Sequence, residues 1–175
     1  MLTQTINIAV TAAAGDPVPE SQLLDVLKSG AALKEKLDAC RVLSRVGTKE
    51  AVPVLAPLLE DEKYAHMARY ALETIPDPSV DDAFRAALGK LKGNLLAGVI
   101  GSIGVRRDTK AVDALTGLLK NEDPVVAQAA ARALGNMGTL PAAQAIESAL
   151  ASVPAASQLA FCEGLFRCAE KLREG

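Results

Sequence analysis

The chain has 175 residues, the size of one ordinary domain, and nearly a third of them are Ala or Leu, both good helix formers. Aromatics are 3 %, Trp is absent and the formal charge is −2, which excludes a typical β-sandwich or barrel and a nucleic-acid binder built on basic excess or stacking aromatics. Three Cys are too few for a disulfide scaffold and 50 % hydrophobic residues too many for a disordered chain, leaving an all-α chain with a core of small side chains.

In chain order, residues 1–20 come first and match no later segment. Ile6 to Ala14 is mildly apolar and Ala12-Ala-Ala14 resembles a small-residue cleavage site, but no Lys or Arg precedes it and Asn7 and Thr11 interrupt the run. A secretory leader is therefore not the expectation. The default compartment is the cytoplasm, with export expected if the chain is a trimmed fragment. Asp16-Pro-Val-Pro19 reads as extended, because each Pro disfavours the helical region for its predecessor. Ser21 to Lys28 reads as a short helix with Ser21 as N-cap.

From there the chain repeats itself. Ala39-Cys-Arg-Val-Leu-Ser-Arg-Val-Gly47, Ala68-Arg-Tyr-Ala-Leu-Glu-Thr-Ile-Pro76, Leu96-Ala-Gly-Val-Ile-Gly-Ser-Ile-Gly104 and Ala130-Ala-Arg-Ala-Leu-Gly-Asn-Met-Gly138 share one pattern, and Phe161 to Cys168 is a fifth, partial copy. Aligned on Leu43, Leu72, Ile100, Leu134 and Leu165, the copies step by 29, 28, 34 and 31 residues. A second pattern follows each of the first four, with Leu55, Phe84, Leu115 and Ile146 at its centre and Leu59, Leu88, Leu119 and Leu150 four residues on, the spacing of one helical face.

Each unit is thus a helical hairpin. Its first helix is expected to stop at Gly47, Pro76, Gly104 or Gly138. Its second begins within a few residues, with Pro78 and Pro141 just inside the start. The 34-residue step is read as a long intra-unit loop, Val105 to Lys110. A hairpin of this kind cannot bury its apolar face alone and must stack on its neighbours. The predicted architecture is an α-solenoid of about five stacked hairpins over 21–175, with units near 31–60, 61–90, 91–120, 121–151 and a partial one at 152–175, after an extended segment at 1–20. Ala155 to Leu172 has no second helix after it, so it either caps the solenoid or belongs to a longer protein.

The segment Asp123-Pro-Val-Val-Ala-Gln-Ala-Ala-Ala-Arg-Ala-Leu-Gly-Asn-Met-Gly138 with Pro141-Ala-Ala-Gln-Ala-Ile146 resembles the short bacterial HEAT repeat, also called the PBS-lyase HEAT-like repeat, over roughly residues 31–175. The resemblance implies first helices on the convex side, second helices on the concave side, and a protein-interaction scaffold. Some members of that family assist attachment of bilin chromophores to phycobiliproteins. The family's usual Arg after the Asp-Pro-x-Val start is replaced by Ala127, which removes its customary contact between repeats in that unit.

Three groups of side chains are candidate binding residues. Lys110, Asp113 and Lys120, with Arg85 and Lys90 before them and Gln144 and Glu147 after, would form a polar ridge on the concave face; the alternative is an ordinary solvated helix face. Arg106, Arg107 and Asp108 sit in the predicted long loop, where Arg can grip a carboxylate or phosphate; the alternative is pairing with Asp108 or nearby helix ends. Tyr64, His66, Arg69 and Tyr70 are the one cluster joining His and aromatics, against the alternative of a Tyr at the rim of the core and a solvated His.

Cys40, Cys162 and Cys168 read as buried reduced thiols, with Cys40 and Cys162 in equivalent positions and Cys162 and Cys168 on different faces. Asp81 and Asp82 favour a helix start. With one His and no catalytic motif, no metal or cofactor is expected. The leading expectation is a non-catalytic scaffold for a protein or peptide, without nucleic acid or membrane insertion and with oligomeric state open. An accessory or lyase-like protein acting on a bound cofactor or chromophore is the alternative.

Overall fold

The computed structural model describes residues 18–174, and the expectations placed on 1–17 lie outside it. Among the described residues there are ten α-helices and no strand. They are α1 (Glu20–Lys28), α2 (Leu33–Val46), α3 (Val52–Leu55), α4 (Ala65–Thr74), α5 (Pro78–Leu88), α6 (Gly93–Arg106), α7 (Val112–Leu118), α8 (Pro124–Met137), α9 (Leu140–Leu150) and α10 (Ala155–Glu174). The even-numbered helices pack in series to form one layer; α1, α3, α5, α7 and α9 form the other. The core lies between the layers, lined by Leu43, Leu55, Leu72, Phe84, Leu115, Leu134 and Ile146, all buried. The fold is an all-α, HEAT-like solenoid.

Local chemistry explains most boundaries. Asp77, Asp123 and Thr139 each accept a hydrogen bond from a backbone N–H of the first turn they precede, with a Pro just inside. Ser21 is not a cap: α1 starts one residue earlier, after Pro19. In the first unit the second helix is broken into a 3₁₀ turn (Lys49–Ala51), α3 and a second 3₁₀ turn (Ala56–Glu60). Pro57 has no N–H for the carbonyl of Pro53 and its ring crowds that carbonyl, so the α-helical ladder cannot pass.

The main departure from the sequence reading is in the third unit. Helix α6 does not stop at Gly104 but runs to Arg106, and the residue that ends it is Arg107, at φ 54°. Gly138 ends α8 in the same left-handed conformation, at φ 65°. Matching Arg107 to Gly138 shifts the register of the third unit by three residues. The column then reads Leu72, Ile103, Leu134 and Leu165, all 31 apart, with Ile103 in the place expected for Ile100. The long loop disappears, because Val105 and Arg106 belong to the last turn of α6 and Thr109 and Lys110 to the 3₁₀ turn before α7.

The first-layer seams are of two kinds. Between α6 and α8, and again between α8 and α10, backbones nearly touch. A Cβ on Gly104 would lie 2.8 Å from Ala133 Cα, and one on Gly135 would lie 2.6 Å from Gly164 Cα. Between α4 and α6 the seam is polar. Arg69 Nη1 donates to the carbonyl of Gly98 at 3.2 Å, and the buried Ser102 donates to Glu73 at 2.6 Å. Gly98 makes room for the guanidinium, whose Cζ would be 2.7 Å from a Cβ there.

Candidate functional site

Arg85, Arg106 and Asp108, expected as binding groups, are instead part of the stack. Arg106 closes the end of α4. It donates to both carboxylate oxygens of Asp81 and to the carbonyls of Glu73, Ile75 and Asp77, at 2.5–3.3 Å. Its position in the last turn of α6, rather than in a loop, aims the side chain at the carbonyls of Glu73 and Ile75 at the end of α4, and at that of Asp77, the N-cap of α5. Asp81 therefore serves an ion pair between units as well as the first turn of its helix.

Arg85 reaches from α5 to Asp108 of the next unit and to Asp82 one turn back. Burial opposes its charge, but Asp108 and Asp82 outweigh it and raise its pKa. Asp108 is buried and also accepts from the backbone N–H of Lys110, capping the 3₁₀ turn before α7. Every one of these charges is satisfied within the fold.

The aromatic cluster separates. Tyr64 is half-buried under Lys36, whose Nζ lies 5.8 Å from the ring centre. His66 and Tyr70 are exposed, whereas Arg69 turns into the α4–α6 seam, where burial lowers its pKa despite the opposing charge of Glu73. The four side chains do not form one patch.

Of the polar ridge, Lys90 pairs with Glu60 at 3.7 Å, and Lys110, Asp113 and Glu147 are exposed. Lys120 and Gln144, from neighbouring units, meet in a cleft of about 280 Å³ between α7 and α9, over the buried Leu119. Leu119 and Lys120 also line a second cleft of about 370 Å³, walled by Pro124, Ala127, Val153 and Ser157 at the turn before α10. The two clefts share this lining, one on the second-helix layer and the other at the starts of α8 and α10.

A further cleft, of about 410 Å³, lies where α6, α8 and α10 end; Arg107, Asn136, Arg167 and Lys171 line it, with Arg167 donating to Asn136 at 2.7 Å. The sequence reading missed it because the three-residue register error separated Arg107 from its counterpart Gly138.

The cysteines divide two to one. Cys40 is buried and its thiol is pushed up to about 11 by that burial. Cys168 is buried against the carbonyl of Leu134 at 3.6 Å, its pKa raised for the same reason. Cys162 is exposed, contrary to the expectation that all three are buried. It lies on a different face of α10 from Cys168, as the spacing of six implied.

Among the described residues no three His, Cys, Asp or Glu side chains come together as metal ligands, and no helix is long and apolar enough to cross a membrane. No curated protein matches the chain. The family model for HEAT repeats matches residues 82–161, from α5 into α10. HEAT repeats generally act as protein-interaction scaffolds and are generally not enzymes. With repeated hairpins, a 31-residue register and that match in agreement, residues 82–161 are HEAT repeats.

Proposed function

We propose that the protein is a non-catalytic scaffold that binds a protein or extended peptide in the groove between α7 and α9. The observation that carries this reading is the meeting of Lys120 and Gln144 over Leu119: two polar groups from different units above an apolar floor. Such a floor takes side chains of a partner, and the rim groups fix its backbone or a carboxylate. Lys110, Asp113 and Glu147, exposed on the same layer, extend the contact, whereas Arg85, Arg106 and Asp108 are spent holding units together and contribute nothing to it directly.

Selection of displayed random peptides against the immobilised chain tests this. Enriched peptides are expected to lose at least tenfold in affinity for the Lys120→Glu/Gln144→Ala variant and to keep it for Glu174→Gln, which is remote from the groove. A selection that enriches nothing, or binders indifferent to the double substitution, would overturn the proposal.

A further inference from the structure

Helix α10 has two apolar faces, and only one of them is used within the chain. Ala160, Phe161, Gly164 and Cys168 are buried against the preceding unit. On the other side Leu159 is 71 % exposed and Phe166 66 % exposed, and Ala155, Cys162 and Ala169 are exposed with them. At roughly 100° per residue these five positions fall within about a quarter turn, a single stripe along the helix.

The repeat shows what this stripe is. Glu73, Gly104, Gly135 and Phe166 occupy one position at 31-residue intervals. Each of the first three meets the next first-layer helix: Glu73 accepts from Ser102, Gly104 abuts Ala133, and Gly135 abuts Gly164. Phe166 is the fourth of the series and meets no first-layer helix among the described residues. The stripe is therefore the face through which the stack is built.

The change of residue indicates what covers it. Gly104 and Gly135 let backbones nearly touch; Phe166 in their place holds a partner helix off by the length of its side chain. Along the stripe large and small residues alternate as Leu159, Cys162, Phe166, Ala169. Turned end for end about the level of Gly164, the same sequence places Leu159 against Ala169 and Phe166 against Cys162, large into small. The flanking Glu163 and Arg167 are drawn back toward α8 by Arg132 and Asn136. The exposed Arg173 continues the stripe at its C-terminal end and in the same arrangement lies against the small Ala155.

We propose that α10 is a self-association surface, on which two copies of the chain pair antiparallel, face to face, across a two-fold axis. One helix face per copy is smaller than the roughly 800 Å² per partner of a standard interface, so the dimer is expected at tens of micromolar rather than nanomolar.

The test combines sedimentation velocity in reducing buffer with the rate of maleimide labelling of Cys162, the one exposed thiol of the three. Raising the concentration from about 1 to 500 μM is expected to move the mass from monomer to dimer and to slow Cys162 labelling at least fivefold. Phe166→Lys is expected to abolish both effects while leaving the unfolding midpoint unchanged, and Leu159→Gln to weaken both. A monomer throughout the range overturns the proposal, as does a dimer that survives Phe166→Lys. Protection of Cys162 without a rise in mass also overturns it, and assigns the face to a helix other than a second copy.

Discussion

Arg107 and Gly138 stand 31 residues apart and end equivalent helices in the same left-handed backbone conformation. That region is open to glycine and costs other residues about 1–2 kcal/mol. Arg107→Gly is therefore expected to stabilise the fold by about 1 kcal/mol, less part of the entropy glycine regains on unfolding. Gly138→Ala is expected to lose at least as much, since its added Cβ also meets Lys171 Cδ at 2.3 Å. Urea denaturation midpoints check both. A loss of stability in Arg107→Gly, or no loss in Gly138→Ala, would refute the register on which the 31-residue stack rests.

Two glycines of the first layer differ in what a methyl group would meet. Gly101, in the exposed middle of α6, has nothing within 4 Å of a Cβ, so Gly101→Ala is expected to stabilise the protein by about 1 kcal/mol through helix propensity alone. A Cβ on Gly135 would lie 2.6 Å from the backbone of Gly164, and no side chain there can move away. Gly135→Val must push α8 and α10 apart and is expected to cost about 3 kcal/mol or more. Thermal melts of the two variants separate close packing from propensity.

Arg106 holds the α4 end of the polar seam through five hydrogen bonds. Arg106→Met takes the donor from Asp81 and from the carbonyls of Glu73 and Ile75, while that of Asp77 keeps the Val80 N–H, and is expected to destabilise by about 3 kcal/mol. Lys has one ammonium in place of the planar fork, so Arg106→Lys is expected to recover less than half of the loss. Hydrogen exchange is the sharper readout: α4 to α6 amides are expected to open before those of α8 and α10 in the Met variant.

Asp77 caps α5, and its hydrogen bonds from the side chain and backbone of Ser79 hold its carboxylate below the usual range. A depressed folded pKa means that this contribution is present above the unfolded value of about 4 and is lost as pH falls through the folded one. Asp77→Asn is expected to flatten part of the stability-against-pH curve below pH 4 and to leave its shape at pH 6–8 unchanged. Acid titrations monitored by circular dichroism at 222 nm provide the comparison.

Helix content, hairpin order and most core columns were legible because Leu at four-residue spacing and the caps Asp77, Asp123 and Thr139 are local signals. The third unit misled for a local reason as well. Gly104 looks like a stop, but it is a close-contact residue inside α6, and the true stop is an Arg that no propensity marks. The roles of Arg85, Arg106 and Asp108 were hidden because their partners lie 23–33 residues away, across a seam that only stacking creates. Lys120 and Gln144 line one cleft, yet its shape depends on how adjacent units are spaced, which composition does not encode.

The most direct test of the scaffold reading is amide chemical-shift mapping of the ¹⁵N-labelled chain with a selected peptide. The account predicts the largest perturbations at Thr116, Leu119, Lys120, Gln144 and Ser148, with weaker ones at Ala127 and Val153. Perturbations concentrated on the exposed faces of α2, α4 and α6, with that groove silent, would contradict it.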